Sequence, residues 1–238
     1  MAVRFAYMIF VDAADASGLT LSEKVAEGIS EVIRTTPKMI SANIYTPASA
    51  EDQFRAPEKS PLLGIQLYFN ELADLEEVLR PESNLGQLAK MDVFSGGRRT
   101  VVTQQAMYVR HFAVDYPYTG TKIEKKPCSY LVHYPGPAQD QNAWMWHYLK
   151  HHPQIMRTFP GIRSIEILTR VDWVSFLPWE RANHMQRNRV MFDSQSALTE
   201  ALHSPARTLM REDFEKFPPY EGGNYHYPME TSIIRPET

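Results

Sequence analysis

The side chains best suited to acid/base chemistry are concentrated in the second half of the chain. Of the eight histidines, seven follow residue 122, as do all four tryptophans. Imidazole titrates near neutral pH, so a histidine beside a cavity can take up or release a proton under ordinary conditions. Aromatic neighbours would suit a flat, mostly apolar molecule that carries a few oxygens. The distribution predicts that any catalytic site lies in the second half.

His152 is the first candidate for a catalytic residue. It lies on the apolar stripe of a helix predicted over 143–158, so it should point inward at a sheet. Pro153 removes a backbone donor from that helix, which could open space beneath it. We expect His152 to act as general base or acid. The alternative is a core histidine that is hydrogen-bonded to a backbone carbonyl.

Further candidates lie in the strands and loops of the second half. His133, in a strand predicted over 129–134, is the second catalytic candidate. Either His133 or a C-terminal tyrosine would hold a substrate oxygen or return the proton. The predicted substrate-binding residues are aromatic or imidazole side chains: Tyr148, Trp173, Tyr225, His226 and Tyr227. In a strand over 225–234, the two tyrosines would face one side and His226 the other. The apolar loop around Trp173 should cap a pocket or pack on the other half.

The remaining features predict neither a metal nor a cofactor. His147 and His151 are spaced for one helix face, but no Glu follows His147 as a metalloprotease motif would require. A net charge of −3 gives no reason to expect nucleic acid, and no apolar run is long enough for a membrane span. Cys128 is the single cysteine and should be a buried apolar residue. The single cysteine and the expected lack of a signal peptide predict a cytoplasmic protein.

An internal repeat organises the whole chain. At an offset of 123 residues, the segment 33–46 falls on 156–169 with six of 14 positions identical. Two further blocks, at 6–9 and 67–70, align with the second half at the same offset without a gap. The sequence therefore predicts two copies, 1–122 and 123–238, joined by a linker at 115–122.

Each copy predicts the element order βαββαβ of a ferredoxin-like α+β unit. The predicted elements of the first copy are 5–11, 21–35, 39–45, 63–69, 72–79 and 106–114, and those of the second are 129–134, 143–158, 162–170, 187–192, 195–210 and 225–234. The strands are apolar at nearly every position, so both faces of each sheet must be covered. We expect the two sheets to pack into an intramolecular α/β barrel with the helices outside. The sequence does not decide whether exposed edge strands also pair two chains into a homodimer.

The copies differ where chemistry could arise. Under the repeat, His133 falls on Phe10 and His152 falls on Ile29. Burying a polar group costs about 1–3 kcal/mol unless it is hydrogen-bonded. A ligand cavity or a structural hydrogen bond would offset that cost.

Residues 128–170 resemble the EthD-like family of dimeric α/β-barrel proteins. The matching residues are His133-Tyr134-Pro135-Gly136 after the first strand, the aromatic run 144–148, His152, and Pro160-Gly161 before the next strand. The family's helix histidine carries over onto His152. Its proline usually lies two residues further on, and because Pro153 follows directly, an alignment onto His151 is the alternative. The resemblance implies a ferredoxin-like fold with a small-molecule cavity between sheet and helices.

Three functions remain open at this stage. The leading hypothesis is a cofactor-independent lyase, isomerase or dehydratase that acts on a small aromatic or polyketide-like molecule. The second is a haem-binding protein similar to the chlorite-dismutase-like proteins, in which a second-half histidine would bind iron. The third is a non-catalytic small-molecule-binding or stress-related module, in which His152 is a satisfied core residue.

Overall fold

The first half forms the predicted βαββαβ unit. In the computed structural model, residues 3–13, 21–95, 100–119 and 126–237 are described, so the predicted boundary between 122 and 123 lies outside the described residues. The elements are β1 (Phe5–Ala13), α1 (Glu23–Arg34), β2 (Ser41–Pro47), β3 (Leu63–Phe69), α2 (Leu72–Glu77) and β4 (Thr100–Phe112). Two short 3₁₀ turns, at 84–90 and 92–94, lie between α2 and β4.

The second half repeats this order with one extra strand and one divided helix. Its elements are β5 (Cys128–Tyr134), α3 (Gln141–Met156), β6 (Ser164–Arg170), β7 (Glu180–Arg181), β8 (Gln186–Phe192), α4 (Gln195–Leu202), α5 (Pro205–Phe214) and β9 (Tyr225–Ile234). The single helix predicted over 195–210 is wrong in this respect. Pro205 lacks a backbone N–H and starts a new helix, so α4 and α5 are separate.

Eight of the strands close into one antiparallel barrel. Their order is β1-β3-β2-β9-β5-β8-β6-β4, and β4 pairs again with β1. The halves meet at two seams, β2 with β9 and β4 with β6. At both seams, the second strand of one unit pairs with the last strand of the other, which gives the barrel a pseudo-two-fold arrangement. The predicted α+β intramolecular barrel is confirmed, with the two sheets joined edge to edge.

Barrel closure bears on the predicted route to a homodimer. Among the described residues, each of the eight barrel strands pairs with two other strands of the barrel. Only the two-residue strand β7 adds outside the ring, parallel to β4. A homodimer could therefore not form by pairing of barrel edge strands, because the described barrel leaves no edge strand unpaired.

The barrel buries both faces of its strands, which explains their continuous apolar sequences. The outward faces pack under the helices of each half, as Ile9 and Val190 do. The inward faces meet in the barrel interior, where Met8, Leu131 and Met229 lie. Three core clusters therefore exist, one inside the barrel and one beneath the helices of each half.

One loop of each half crosses onto the other half. The loop 48–62 joins β2 to β3 and lies on the second half, where the Ser49 N–H donates to Gln195 Oε1 at 3.3 Å. The loop 171–185 joins β6 to β8 and lies on the first half, where the Phe176 N–H donates to the Leu79 carbonyl at 3.0 Å. Each half is thus covered by a loop that the other half supplies.

Within the described ranges, no helix has both the length and the apolar character that crossing a bilayer requires.

Candidate functional site

A cavity of about 240 Å³ lies beneath the helices of the second half. Its floor is formed by β5, β8 and β9, its sides by α3 and α5, and its cover by loop 48–62. Most of its wall is apolar, formed by Phe54, Val132, Met156, Phe159, Val190, Leu202, Met210 and Phe214. Its polar lining includes Arg55, His152, Asn188, Arg207, Asn224 and His226. A mostly apolar wall with a few polar groups is typical of a small-molecule site.

His152 lies in this wall and is held by a carboxylate. Only 4% of the residue is exposed, and its Nδ1 lies 2.7 Å from Oδ2 of Asp213 on α5. The other oxygen of Asp213 lies 3.2 Å from Nε2 of His147. No hydrogen bond to Nε2 of His152 forms within the described part of the chain. The second ring nitrogen is therefore available to a bound molecule.

The pKa shifts define the protonation state of this pair. Burial lowers the pKa of His152 below its ordinary value, and the hydrogen bond and charge of Asp213 offset that only in part. Burial alone would raise the pKa of Asp213, but the hydrogen bonds and charges of His152 and His147 together outweigh it, so the net shift is downward. At neutral pH, a neutral imidazole donates Nδ1–H to an ionised carboxylate. Nε2 then carries the lone pair, as in a histidine general base.

Aromatic packing fixes the orientation of His152. Asp140 caps the N-terminus of α3, accepting the backbone N–H of Ala143 at 2.9 Å. One turn before His152, Tyr148 places its ring 4.7 Å from the imidazole, and Phe217 closes the other side at 5.0 Å. The i, i+4 spacing of Tyr148 and His152 puts both on the buried face of α3. The imidazole is thus confined between rings with one edge at Asp213.

Several buried polar atoms around the cavity have no protein partner. These are both ring nitrogens of His226, Nε of Arg55 and Oδ1 of Asn188. Buried polar atoms in proteins are normally hydrogen-bonded, and an unpaired one costs about 1–3 kcal/mol. Their convergence on one cavity favours a bound molecule that supplies the missing partners.

Loop 48–62 brings charged residues of the first half to this site. Asp52 binds the Arg207 guanidinium at 3.0 Å and accepts from the Tyr130 hydroxyl at 3.1 Å. Arg55 donates to Oδ1 of Asn224 at 2.9 Å and also pairs with Glu58. The cavity is therefore built from both halves.

The structure brings two of the predicted site residues to the cavity. His152 and His226 both line it. Tyr148 lies behind His152, where its hydroxyl accepts a hydrogen bond from the Asn188 amide. The alternative His151 is exposed, with its ring 4.8 Å from that of His147. Of the two histidines that the resemblance leaves open, His152 is therefore the one that is buried and has a carboxylate partner.

The other predicted site residues lie elsewhere. His133 is on the opposite face of β5, inside the barrel, where Arg187 donates to its Nδ1 at 2.9 Å. Burial and then the Arg187 charge hold its pKa well below the ordinary value. Tyr227 packs against His133 there, while Tyr225 is 45% exposed. His133 and His152 thus face different compartments, and the prediction that they share one substrate is wrong.

Trp173 contributes to the first half instead of the cavity. Its ring lies 5.9 Å from that of Tyr7, and the Arg181 guanidinium stacks over it at 4.0 Å. Of the two alternatives for its loop, packing on the other half is the one observed.

The main residues that the sequence analysis missed are Asp213, Arg55, Arg207 and Asn188. Asp213 follows Ala206 and Met210 on the buried face of α5. A carboxylate at a position of the apolar stripe is a signal that could have identified it. Arg55 lies in a loop of the other half, and no spacing within the second half points to it.

A haem does not fit this site. Drug-sized ligands occupy pockets of about 300–1,000 Å³, so a cavity of about 240 Å³ is too small for a macrocycle. Among the described residues, no group of three or more His, Cys, Asp or Glu side chains is arranged to hold a metal ion.

Comparisons with known proteins place the fold. No protein-family model matches the chain, and no curated protein matches it. An anthrone oxidase-like protein has a similar structure, with a TM-score of 0.61 and 14% identity over 98% of this chain and 94% of that one. A putative monooxygenase from Fusobacterium nucleatum gives 0.56 at 7% identity, over 98% and 95%. One from Lactobacillus acidophilus gives 0.53 at 10% identity, over 98% and 97%.

Identities this low establish shared architecture only. The match nonetheless covers almost the full length of both chains in each case. The chain therefore has a dimeric α/β-barrel fold, with both units in a single polypeptide.

Proposed function

We propose that the protein is a cofactor-independent enzyme that moves protons on a small aromatic or polyketide-like molecule, with His152 as the base. The observation that carries this proposal is the imidazole of His152 in the cavity wall, with Nδ1 fixed on Asp213 and Nε2 left open. The EthD-like resemblance of residues 128–170 supports it, because the family's helix histidine falls on the same residue.

The chemistry begins with removal of a proton from a carbon or hydroxyl that a neighbouring carbonyl acidifies. Nε2 of His152 takes the proton, and Asp213 stabilises the imidazolium that forms. The electron pair moves onto the carbonyl oxygen and gives an enolate or phenolate. Donors at Arg55 and His226 lie in the same cavity and can stabilise that oxygen. Return of the proton to another atom completes an isomerisation, and loss of a leaving group completes a dehydration or lyase reaction.

The environment of His152 suits this role. Its lowered pKa keeps the imidazole neutral at pH 7, so it is ready to accept a proton. The apolar wall excludes water and strengthens the electrostatic interactions inside the cavity. A positioned general base contributes about 10²–10⁴-fold to a rate.

The test measures proton abstraction directly, without knowledge of the whole reaction. Enolisable aromatic ketones, hydroxyaromatic acids and phenols are incubated with the protein in D₂O, and deuterium incorporation is followed by NMR. We expect exchange at one carbon of at least one compound, and we expect His152→Gln to slow it by about 10²–10⁴-fold.

His147→Gln is the matched control, since His147 contacts the same Asp213 from a partly exposed position. It should retain most of the exchange rate. If His152→Gln folded and exchanged as fast as the unmodified protein, His152 would not be the base. If no compound exchanged while several bound, the non-catalytic binding module would be the better reading.

A further inference from the structure

The last strand of each half carries a polar residue at the same place. Strand register identifies the pair: Gln104 on β4 lies opposite Ile9 on β1, and His226 on β9 lies opposite Val132 on β5. Ile9 and Val132 are themselves equivalent under the repeat of 123 residues. Gln104 and His226 are therefore counterparts, both facing the helix side of their sheet.

In the first half, loop 171–185 and Tyr7 together satisfy the side chain at this position. The Gln104 amide Nε2 donates to the carbonyls of Leu177 and Trp179, at 3.1 and 2.7 Å. Its Oε1 accepts from the Tyr7 hydroxyl at 2.7 Å and from Ser175 Oγ at 2.9 Å. Oxygens that the covering loop brings close thus occupy the place of a ligand.

In the second half, the equivalent loop 48–62 leaves the position open. It contacts His226 through the backbone only, with Glu58 Oε2 accepting the His226 N–H at 2.8 Å. Both ring nitrogens of His226 stay buried and unpaired. The same loop supplies Arg55, whose Nη groups are taken by Asn224 and Glu58 while its buried Nε is unpaired. Two unpaired N–H donors therefore belong to residues that line this cavity, whereas the equivalent position of the first half has protein oxygens as partners.

We propose that Arg55 and His226 bind an anionic oxygen of the substrate, so that the preferred substrates are aromatic carboxylates or acidic phenols. This rests on the proposed function, and it adds that the first half, which has no catalytic histidine, supplies the residue that selects the substrate. An oxyanion that accepts from a guanidinium and an imidazole forms charge-assisted bonds. Apolar residues of the same cavity, such as Val190 and Phe159, would contact the ring.

The charge around His226 agrees with this assignment. Burial lowers the pKa of His226 well below its ordinary value, and the positive charges of Arg55 and Arg207 lower it further. The imidazole therefore stays neutral and offers one N–H donor in a positive field. Asp52 and Glu58 face the same region, but each already binds a guanidinium, on Arg207 and Arg55 respectively.

The experiment compares carboxylates with their neutral amides. Benzoate, salicylate and 1-hydroxy-2-naphthoate are each titrated by calorimetry beside benzamide, salicylamide and 1-hydroxy-2-naphthamide at pH 7. We expect at least one acid to bind about tenfold or more tightly than its amide, which corresponds to about 1.4 kcal/mol. Arg55→Gln and His226→Gln should each reduce that ratio to below about threefold.

Arg211→Gln is the matched control, because Arg211 lines the same cavity from an exposed position and pairs with Glu215. It removes the same charge and should keep the preference. If no acid binds more tightly than its amide, or if Arg211→Gln removes the preference as fully as Arg55→Gln, the proposal is refuted. Should Arg55→Gln fail to fold, His226→Gln alone decides.

His152→Gln separates this inference from the proposed function. It should slow exchange by about 10²–10⁴-fold and keep the preference for the acid. If His152→Gln keeps both the preference for the acid and the full rate of deuterium exchange, the proposed function alone is overturned. Exchange that depends on His152 but occurs equally with acids and amides would overturn this inference alone.

Discussion

A buried ion pair inside the barrel gives the sharpest prediction of stability. Arg189 on β8 contacts Glu166 on β6 at 2.6 Å, and both side chains are about 95% buried, with 6% and 5% exposed. Tyr68, on β3 of the other half, donates its hydroxyl to the same carboxylate at 2.7 Å. Glu166→Gln leaves the shape nearly unchanged and removes the negative charge.

The cost follows from what remains. An Arg189 guanidinium without its carboxylate is an uncompensated charge in a low-dielectric interior, and breaking such a pair typically costs about 3–5 kcal/mol. Nη1 of Arg189 is already buried and unpaired before the substitution. We expect Glu166→Gln to lower the free energy of unfolding by about 3–5 kcal/mol.

Urea unfolding followed by circular dichroism measures this loss. With an m value of about 3 kcal/mol/M, the midpoint should fall by about 1–1.7 M. The double variant Glu166→Leu with Arg189→Met removes both charges, and it should recover most of the loss because apolar replacement of a buried pair is often neutral or stabilising. A loss below about 1 kcal/mol for Glu166→Gln would refute the reasoning.

The pH dependence provides a second check on the same pair. Burial alone would raise the pKa of Glu166, but the charge and hydrogen bond of Arg189 outweigh it, so the folded pKa lies below the ordinary value. The unfolded state then binds more protons near the ordinary value of about 4.3, and the stabilisation is fully present above it. It is lost as the pH falls through the lower folded pKa. The stability difference between the protein and Glu166→Gln should therefore shrink on acidification and be constant above about pH 5.5.

Two further predictions concern the site and the thiol. Asp213→Asn should slow exchange by about 10³–10⁴-fold, because an amide can hold the imidazole in the wrong tautomer. NMR titration should show that the pKa of His152 is below 6.5 in the protein and lower still in this variant. If the variant left the pKa of His152 unchanged, the assigned contact with Asp213 would be contradicted. Cys128 is buried, which raises its pKa to about 12, so iodoacetamide should label it at pH 8 only after the protein is unfolded. Rapid labelling of the folded protein would contradict its burial.

The repeat predicted the fold because it states the same element order twice. Strands that are apolar on both faces, such as residues 5–11, require cover on both sides, and a second copy in the same chain is the nearest cover. The barrel followed from that requirement. The two-helix arrangement of α4 and α5 did not, although Pro205 marks the break.

The same apolar strands explain why His133 and His152 were wrongly predicted to act on one substrate. A half-exposed strand alternates polar and apolar residues, and this reveals which side faces the core. In β5 every residue is buried, so the sequence carries no sign of whether His133 faces the helices or the barrel interior. His152 had such a sign, because its helix has an apolar stripe and a polar side.

Loop 48–62 was beyond sequence reasoning for another reason. Its contacts with the second half, such as Arg55 to Asn224 and Asp52 to Arg207, join residues more than 150 positions apart. Loops lack the periodicity that reveals which face is buried. Their destination follows from the barrel seam between β2 and β9, which only the folded structure shows.

The position of that seam explains how the two copies came to differ in role. Each loop lies on the other half, so a change in one copy alters the cover of its partner's cavity. In the first half, Ile29 takes the place of His152, and Gln104 is saturated by loop 171–185. In the described part of that half, the place of His152 therefore holds no titratable group, and Gln104 has no unpaired donor. Its own loop still brings Arg55 and Asp52 to the second cavity. Fusion of the copies thus allows one half to lose its own site while it completes the other.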